Sequence, residues 1–145
     1  MESVFRFKSM VIKFIIIFID GLINSVINCF NKYFDFKTRS SRREFWHWQF
    51  FRLFSLLPII GIESLGFKGA SIFFAIIFLI PDISVQVRRF HDCNITGWLY
   101  LIIILLMIIS FFYQLLFLLC FTLFILLYLN CLKGSVGANN YGEKI

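Results

Sequence analysis

Residues 98–131 read WLYLIIILLMIISFFYQLLFLLCFTLFILLYLNC, 34 consecutive positions without a Lys, Arg, Asp, Glu, Pro or Gly. About 18 uncharged apolar residues already suffice to cross a bilayer. The run therefore points to an integral membrane protein. At ~1.5 Å per residue a single helix over it would reach about 51 Å, well past a hydrocarbon core of roughly 30 Å. It is either one long tilted helix or a segment bent near Ser110 to Gln114. The absence of Gly and Pro favours continuity, and the excess length favours a bend.

Working outward from that run, the chain repeats the theme. Asn94 to Gly97 make a turn, preceded by a second apolar stretch from Ala70 to Val87 with Pro81 and Asp82 inside it, closed by Arg88, Arg89, His91 and Asp92. Gly61 to Gly69, with Glu63 and Lys68, form another turn. Before it, Ser41-Arg42-Arg43-Glu44 has the pattern of a capping box, in which the Ser41 hydroxyl and the Glu44 carboxylate both satisfy orphan backbone donors. A helix is expected from there to about Leu65, kinked at Pro58, with Phe45, Trp46 and Trp48 at headgroup level and Arg52 snorkelling to the surface. In the first 31 residues Asp20, Asn24 and Asn28 recur every fourth position, a polar stripe suited to an interfacial or bundle-packed helix. The lead-in lacks an Ala-x-Ala-like cleavage site, though Val11 to Phe30 is long enough to cross.

The expected architecture is all-α: a polytopic membrane bundle of three to four spans, about 45–65, 70–88 and 98–131, within a membrane domain over 32–142. An apolar or amphipathic N-terminal helix (1–31) precedes it and a tail (143–145) follows it. Composition agrees, since 60% of the residues are hydrophobic, 15% are charged and 21 are Phe, whereas about a quarter would be charged in a globular domain. The net charge of +6 is concentrated: eight Lys or Arg precede Phe45, only Lys68 lies in the next turn, and Arg88 with Arg89 lie in the one after. Positive charge beside spans marks the cytoplasmic face, which places the N-terminus and the 88–97 turn there and disfavours a nucleic-acid partner.

In an antiparallel pair of spans, Arg42-Arg43-Glu44 should meet Arg88-Arg89-Phe90-His91-Asp92 at one leaflet. Glu44 is expected to pair with Arg88 or Arg89, and Asp92 with Arg42 or Arg88. The positive surplus would hold a lipid phosphate or an acidic partner segment. Asp82, Gln86 and Arg89 share a helical face, an expected polar ladder out of the bundle. His91 and Asp92 suggest an acid–base pair, yet sequence neighbours on a helix diverge by about 100°, and no nucleophile elbow or phosphate loop accompanies them. Cys29, Cys93, Cys120 and Cys131 with His47 and His91 lack metal-ligand spacing, and neither cofactor nor metal is expected.

Three stretches, in order, carry a family resemblance. Tyr33-Phe34-Asp35-Phe36-Lys37-Thr38-Arg39-Ser40-Ser41-Arg42-Arg43-Glu44-Phe45-Trp46 is similar to F-x-G-R-x-S/R-R-x-E-Y/F-W. Pro81 through Val87-Arg88-Arg89-Phe90-His91-Asp92 to Gly97-Trp98 is similar to P-x-x-A-V-x-x-R-R-L-H-D-x-x-x-S-G-W. Gly137-Ala138-Asn139-Asn140-Tyr141-Gly142 is similar to G-x-N-x-Y-G. Together they resemble the DUF805 family of small bacterial inner-membrane proteins, with departures at Thr38, Asp82, Phe90 and Thr96. The resemblance implies a multi-pass protein of the bacterial inner membrane and no settled activity. The candidate structural and lipid-binding cluster is Arg39, Arg42, Arg43, Glu44, Trp46, Arg88, Arg89, His91, Asp92 and Trp98, and the C-terminal motif adds Gly137, Asn139, Tyr141 and Gly142.

The expected function is that of a non-enzymatic membrane protein whose Arg/His/carboxylate cluster organises the bundle. Its partners would be anionic lipids, with a second membrane protein or another copy of the chain as further candidates. A small transporter or holin-like pore built on Asp82, Gln86 and Arg89, and a lipid-headgroup enzyme built on His91 and Asp92, are the competing classes.

Overall fold

The structure, a computed structural model, describes residues 2–143, so Met1 of the expected lead-in and residues 144 and 145 of the expected tail lie outside it. Five helices follow one another: α1 Glu2–Asn31, α2 Arg42–Ser64, α3 Ala70–Asp92, α4 Trp98–Phe112 and α5 Leu116–Cys131. The fold is all-α, with only a two-residue bridge between Asn139 and Gly142 outside the helices among the described residues. Helix α1 packs along α2, α2 pairs with α3, and α4 folds back on α5.

The long apolar run bends, and its turn has an identifiable cause. Helix α4 stops at Phe112 and Gln114 takes a left-handed conformation with φ of 52°. Leu115 N–H then reaches the Ser110 carbonyl at 2.8 Å and Gln114 N–H the Phe111 carbonyl at 3.3 Å. These are the two bonds of a Schellman cap, with a glutamine in the place that usually holds Gly. Asn94, at φ of 57°, closes α3 in the same way, with Ile95 N–H on the Phe90 carbonyl at 2.9 Å.

Helix α1 meets α2 through Gly21, Ser25, Asn28 and Cys29, which share one helical face at spacings of three and four. A Cβ at Gly21 would lie 3.1 Å from the His47 ring, a tight contact that the glycine avoids where the two helices meet. Ser25 Oγ lies 3.0 Å from His47 Nδ1, and Asn28 donates to Glu44 at 2.9 Å. Asp20 and Asn24 of the expected polar stripe face outward. At the centre, Trp48 packs with Phe30, Phe51 and Phe78 at ring separations of 5.3–6.0 Å.

Helices α2 and α3 each run unbroken through a proline, Pro58 and Pro81. Pro81 has no N–H for the Ile77 carbonyl four residues back. The Tyr33 hydroxyl supplies the missing donor at 2.8 Å.

Burial in this bundle is inverted relative to a water-soluble core. Among the described residues six buried side chains are hydrophobic and fourteen are polar or charged, while Phe14, Ile17, Leu57, Phe73 and Phe117 are all more than 60% exposed. Two helices, α1 over Arg6–Asn31 and α3, are long and apolar enough to cross a membrane. Helices α4 and α5 are as apolar but, at 15 and 16 residues, reach only about 23 Å each. Helix α2 is long but carries His47, Gln49 and Arg52.

Candidate functional site

The α2 start, the α3 end, the α5 end and the tail all gather at one end of the bundle. Ser41 caps α2, its hydroxyl accepting from Glu44 N–H at 3.2 Å. The reciprocal half of the expected capping box is absent, because the Glu44 carboxylate turns inward. It accepts from Arg88 Nη1 at 2.9 Å and from Asn28 Nδ2 at 2.9 Å. Arg88 is the Glu44 partner; Arg89 is not.

Asp92 departs from expectation. Its partners are Arg39, at 2.8 Å, and Arg89, at 2.7 Å, rather than Arg42 or Arg88. The physical reason is the path of the connector. Ser40 N–H bonds the Arg88 carbonyl at 3.0 Å and the Ser84 hydroxyl bonds the carbonyls of Lys32 and Asp35, which lays residues 32–40 along α3. Arg39 is thereby pressed into the bundle while Arg42 and Arg43 stay outside.

Arg39, Arg88 and Arg89 are at most 1% exposed. Three buried guanidinium groups face two carboxylates, so one positive charge is left over, and carbonyl oxygens absorb it. Arg39 donates to the carbonyls of Gly137 at 2.6 Å, Ser135 at 3.0 Å and Gly142 at 3.2 Å. Arg89 donates to Asn130 O at 3.2 Å and to Leu132 O. Those last two carbonyls end α5, where unpaired acceptors and the negative end of the helix dipole favour a cation. Among the described residues the only buried side-chain polar atoms without a partner are Arg88 Nε and Ser40 Oγ.

The tail is part of this knot. Ser135 N–H bonds the Asp92 carbonyl at 2.8 Å, Asn139 Nδ2 bonds the His91 carbonyl at 2.8 Å, and the Tyr141 ring stacks on His91 at 3.8 Å. A Cβ at Gly134 would collide with the Asp92 carboxylate, so the chain can pass here only as glycine. Gly134, Ser135 and Asn130 belong to the site although no motif in the sequence marks them. The glycine beside a serine in an otherwise short tail was the available signal.

Electrostatics outside the helices centre on Asp35. Burial pushes its carboxyl up, but the Thr38 hydroxyl and the N–H groups of Lys37 and Thr38 outweigh that and hold it below the ordinary carboxylate range. The Thr38 hydroxyl donates at 2.5 Å and the two N–H groups at 3.0 and 3.1 Å.

His91 and Asp92 do not form a dyad. His91 Nδ1 faces the Thr38 carbonyl at 3.3 Å, and both Asp92 oxygens are taken by arginines. The expected ladder is also broken: Gln86 exchanges amide bonds with Asn130, Arg89 turns to Asp92, and Asp82 accepts from the Trp48 indole at 2.6 Å. The Arg52 side chain, 43% exposed, lies 3.4 Å from Asp82. Trp46 is half-buried beside Phe45, and Trp98, the first residue of α4, is 73% exposed. Among the described residues no three His, Cys, Asp or Glu side chains gather as metal ligands, and the four cysteines are free.

A comparison with known families matches residues 33–143 to one described as "Protein of unknown function (DUF805)". No curated protein and no solved structure matches the chain.

Proposed function

Because the chain belongs to the DUF805 family, whose function is unknown, its reading has to come from the site, and we propose that it is a non-enzymatic, multi-pass protein of the bacterial inner membrane. In this reading the buried arginine–carboxylate knot locks the cytoplasmic end of the bundle, and the cations outside it bind anionic lipid. The observation that carries the proposal is the inverted burial: Arg39, Arg88 and Arg89 are sealed inside while large Phe, Ile and Leu side chains cover the outside. In water that arrangement would expose apolar surface far beyond what a soluble monomer tolerates. In lipid it is the favourable one, with small residues such as Gly21, Ser25 and Cys29 letting helices approach and polar groups joined inside.

The lipid contact belongs to Arg42 and Arg43 rather than to Arg88 and Arg89, which are sealed inside the bundle at 0% exposure. Arg42 and Arg43 are exposed, have no carboxylate partner among the described residues, and rim a cleft of about 480 Å³ walled by Phe18, Trp46 and Phe50. Cations above an aromatic cleft suit a phosphate headgroup with its chain below. Purified in detergent, the Arg42→Gln/Arg43→Gln protein should retain markedly less phosphatidylglycerol than wild type. Equal retention would reject the lipid assignment.

A further inference from the structure

A second site lies midway along the bundle, away from the knot. Arg52 is ten residues from Arg42 along α2 and Asp82 ten from Asp92 along α3, so both sit about 15 Å from that end. Between them opens a cavity of about 330 Å³, lined by Gln49, Arg52, Asp82, Gln86, Tyr100 and Asn130. Its outer wall is apolar, formed by Leu123, Leu126 and Leu127 of α5.

The hydrogen bonding around this cavity is incomplete. Asp82 Oδ1 is taken by Trp48, while Oδ2 has only Arg52 Nη1 at 3.4 Å, a charge contact too long and poorly aligned to rank as a hydrogen bond. Arg52 spends only Nε, on Gln49 at 3.3 Å, and leaves both Nη groups with donors to offer. Gln86 and Asn130, by contrast, satisfy one another and form an inert floor. An acid and a base with spare valence, facing the same space inside apolar helices, call for a polar occupant.

We propose that this cavity binds an ammonium–phosphate zwitterion, its ammonium on Asp82 Oδ2 and its phosphate on the Arg52 guanidinium. Three features select that class. The two wall charges cancel, so a neutral dipolar ligand adds no net charge to a low-dielectric site. Trp46 and Tyr100 also line the cavity, and aromatic faces attract a cation. The free Nη donors of Arg52 match phosphate oxygens in a fork. The same chemistry occurs on an ethanolamine phospholipid headgroup and on free glycerophosphoethanolamine, and the leucine wall favours the lipid, whose chain can lie along it. This inference rests on the membrane placement proposed above.

The test is binding of dihexanoyl phosphatidylethanolamine to the full chain in detergent, by native mass spectrometry, beside dihexanoyl phosphatidylglycerol and glycerophosphoethanolamine. The ethanolamine lipid should bind on the order of tenfold or more tightly than the glycerol lipid. Asp82→Asn keeps an acceptor for Trp48, and it and Arg52→Gln should each abolish that preference; Leu127→Trp, which fills the cavity from its outer wall and touches neither charge, should abolish it too. Arg42→Gln/Arg43→Gln should keep it. Equal binding of the two lipids by the Arg42→Gln/Arg43→Gln protein, which lacks the outer cations that would hold the glycerol lipid, or wild-type preference in the three cavity variants, would overturn the proposal. Binding of glycerophosphoethanolamine identifies the headgroup alone as sufficient, and its failure beside a bound lipid assigns the chain a part; both support the site. Failure of the membrane placement would be seen separately, as recovery of the chain without detergent.

Discussion

Glu44 and Arg88 illustrate why buried charge in this bundle should be read as specification rather than as surplus stability. Removing one member of a buried pair leaves an uncompensated charge and costs about 3–5 kcal/mol, whereas replacing both with apolar groups is often near neutral. Glu44→Leu and Arg88→Leu singly should therefore destabilise the protein strongly in thermal unfolding, and the double variant should lie well above either. Additive losses would show that the two side chains do not depend on each other. Asp35 acts at the same scale in the connector. Its pKa is lowered in the folded chain, so its contribution is complete above the unfolded value near 4 and drains away as pH falls through the folded value. Wild type should outlast Asp35→Asn in melting temperature at pH 7, with the gap closing in acid below about pH 4. A gap that persists unchanged in acid would contradict the pairing. That Glu44 pairs with an arginine at the end of α3 was legible in sequence because antiparallel helices put a start beside an end, whereas its Asn28 partner was not. The partners of Asp92 were not legible, since the route of the Lys32–Ser40 connector decides them and no periodicity records that route.

At the scale of elements, the starts and stops of α2 and α3 follow from visible chemistry. Ser41 caps one and the Asn94 left-handed residue ends the other. The α4–α5 turn was only half legible: the excess length of the run pointed to a bend near Ser110 to Gln114, but its left-handed residue is a glutamine, with no Gly or Pro to decide for it. A side chain with a Cβ carries a penalty in that conformation of about 1–2 kcal/mol, of which glycine's greater freedom when unfolded returns part. Gln114→Gly should accordingly raise stability by up to ~1 kcal/mol. A loss would mean that the hairpin does not turn there. The small-residue face of α1 was likewise present in the sequence as Gly21, Ser25 and Cys29 at intervals of four, but the neighbouring Asp20, Asn24 and Asn28 stripe masked it. Tyr33 answering the carbonyl freed by Pro81 could not be seen without the fold, because 44 residues separate it from Ile77.

Over the whole molecule, the hairpin of α4 and α5 matters more than its length suggests. By turning back, it returns the chain to the end from which α4 began, and so delivers Ser135, Asn139 and Tyr141 to Arg39, His91 and Asp92. A straight α4–α5 would have carried the tail some 50 Å away, out of reach of every one of them. The knot, the tail and the exposed Arg42 and Arg43 thus share one end, and the 65–69 turn with Lys68 lies at the other. The most direct measurement is side-specific labelling in intact cells with a membrane-impermeant maleimide, using single cysteines at Arg43, Lys68 and Gly137 in a background with Cys29, Cys93, Cys120 and Cys131 replaced by serine. The account predicts that positions 43 and 137 are both protected until the cells are opened, while position 68 reacts from outside. Finding 43 and 137 on opposite sides would contradict it.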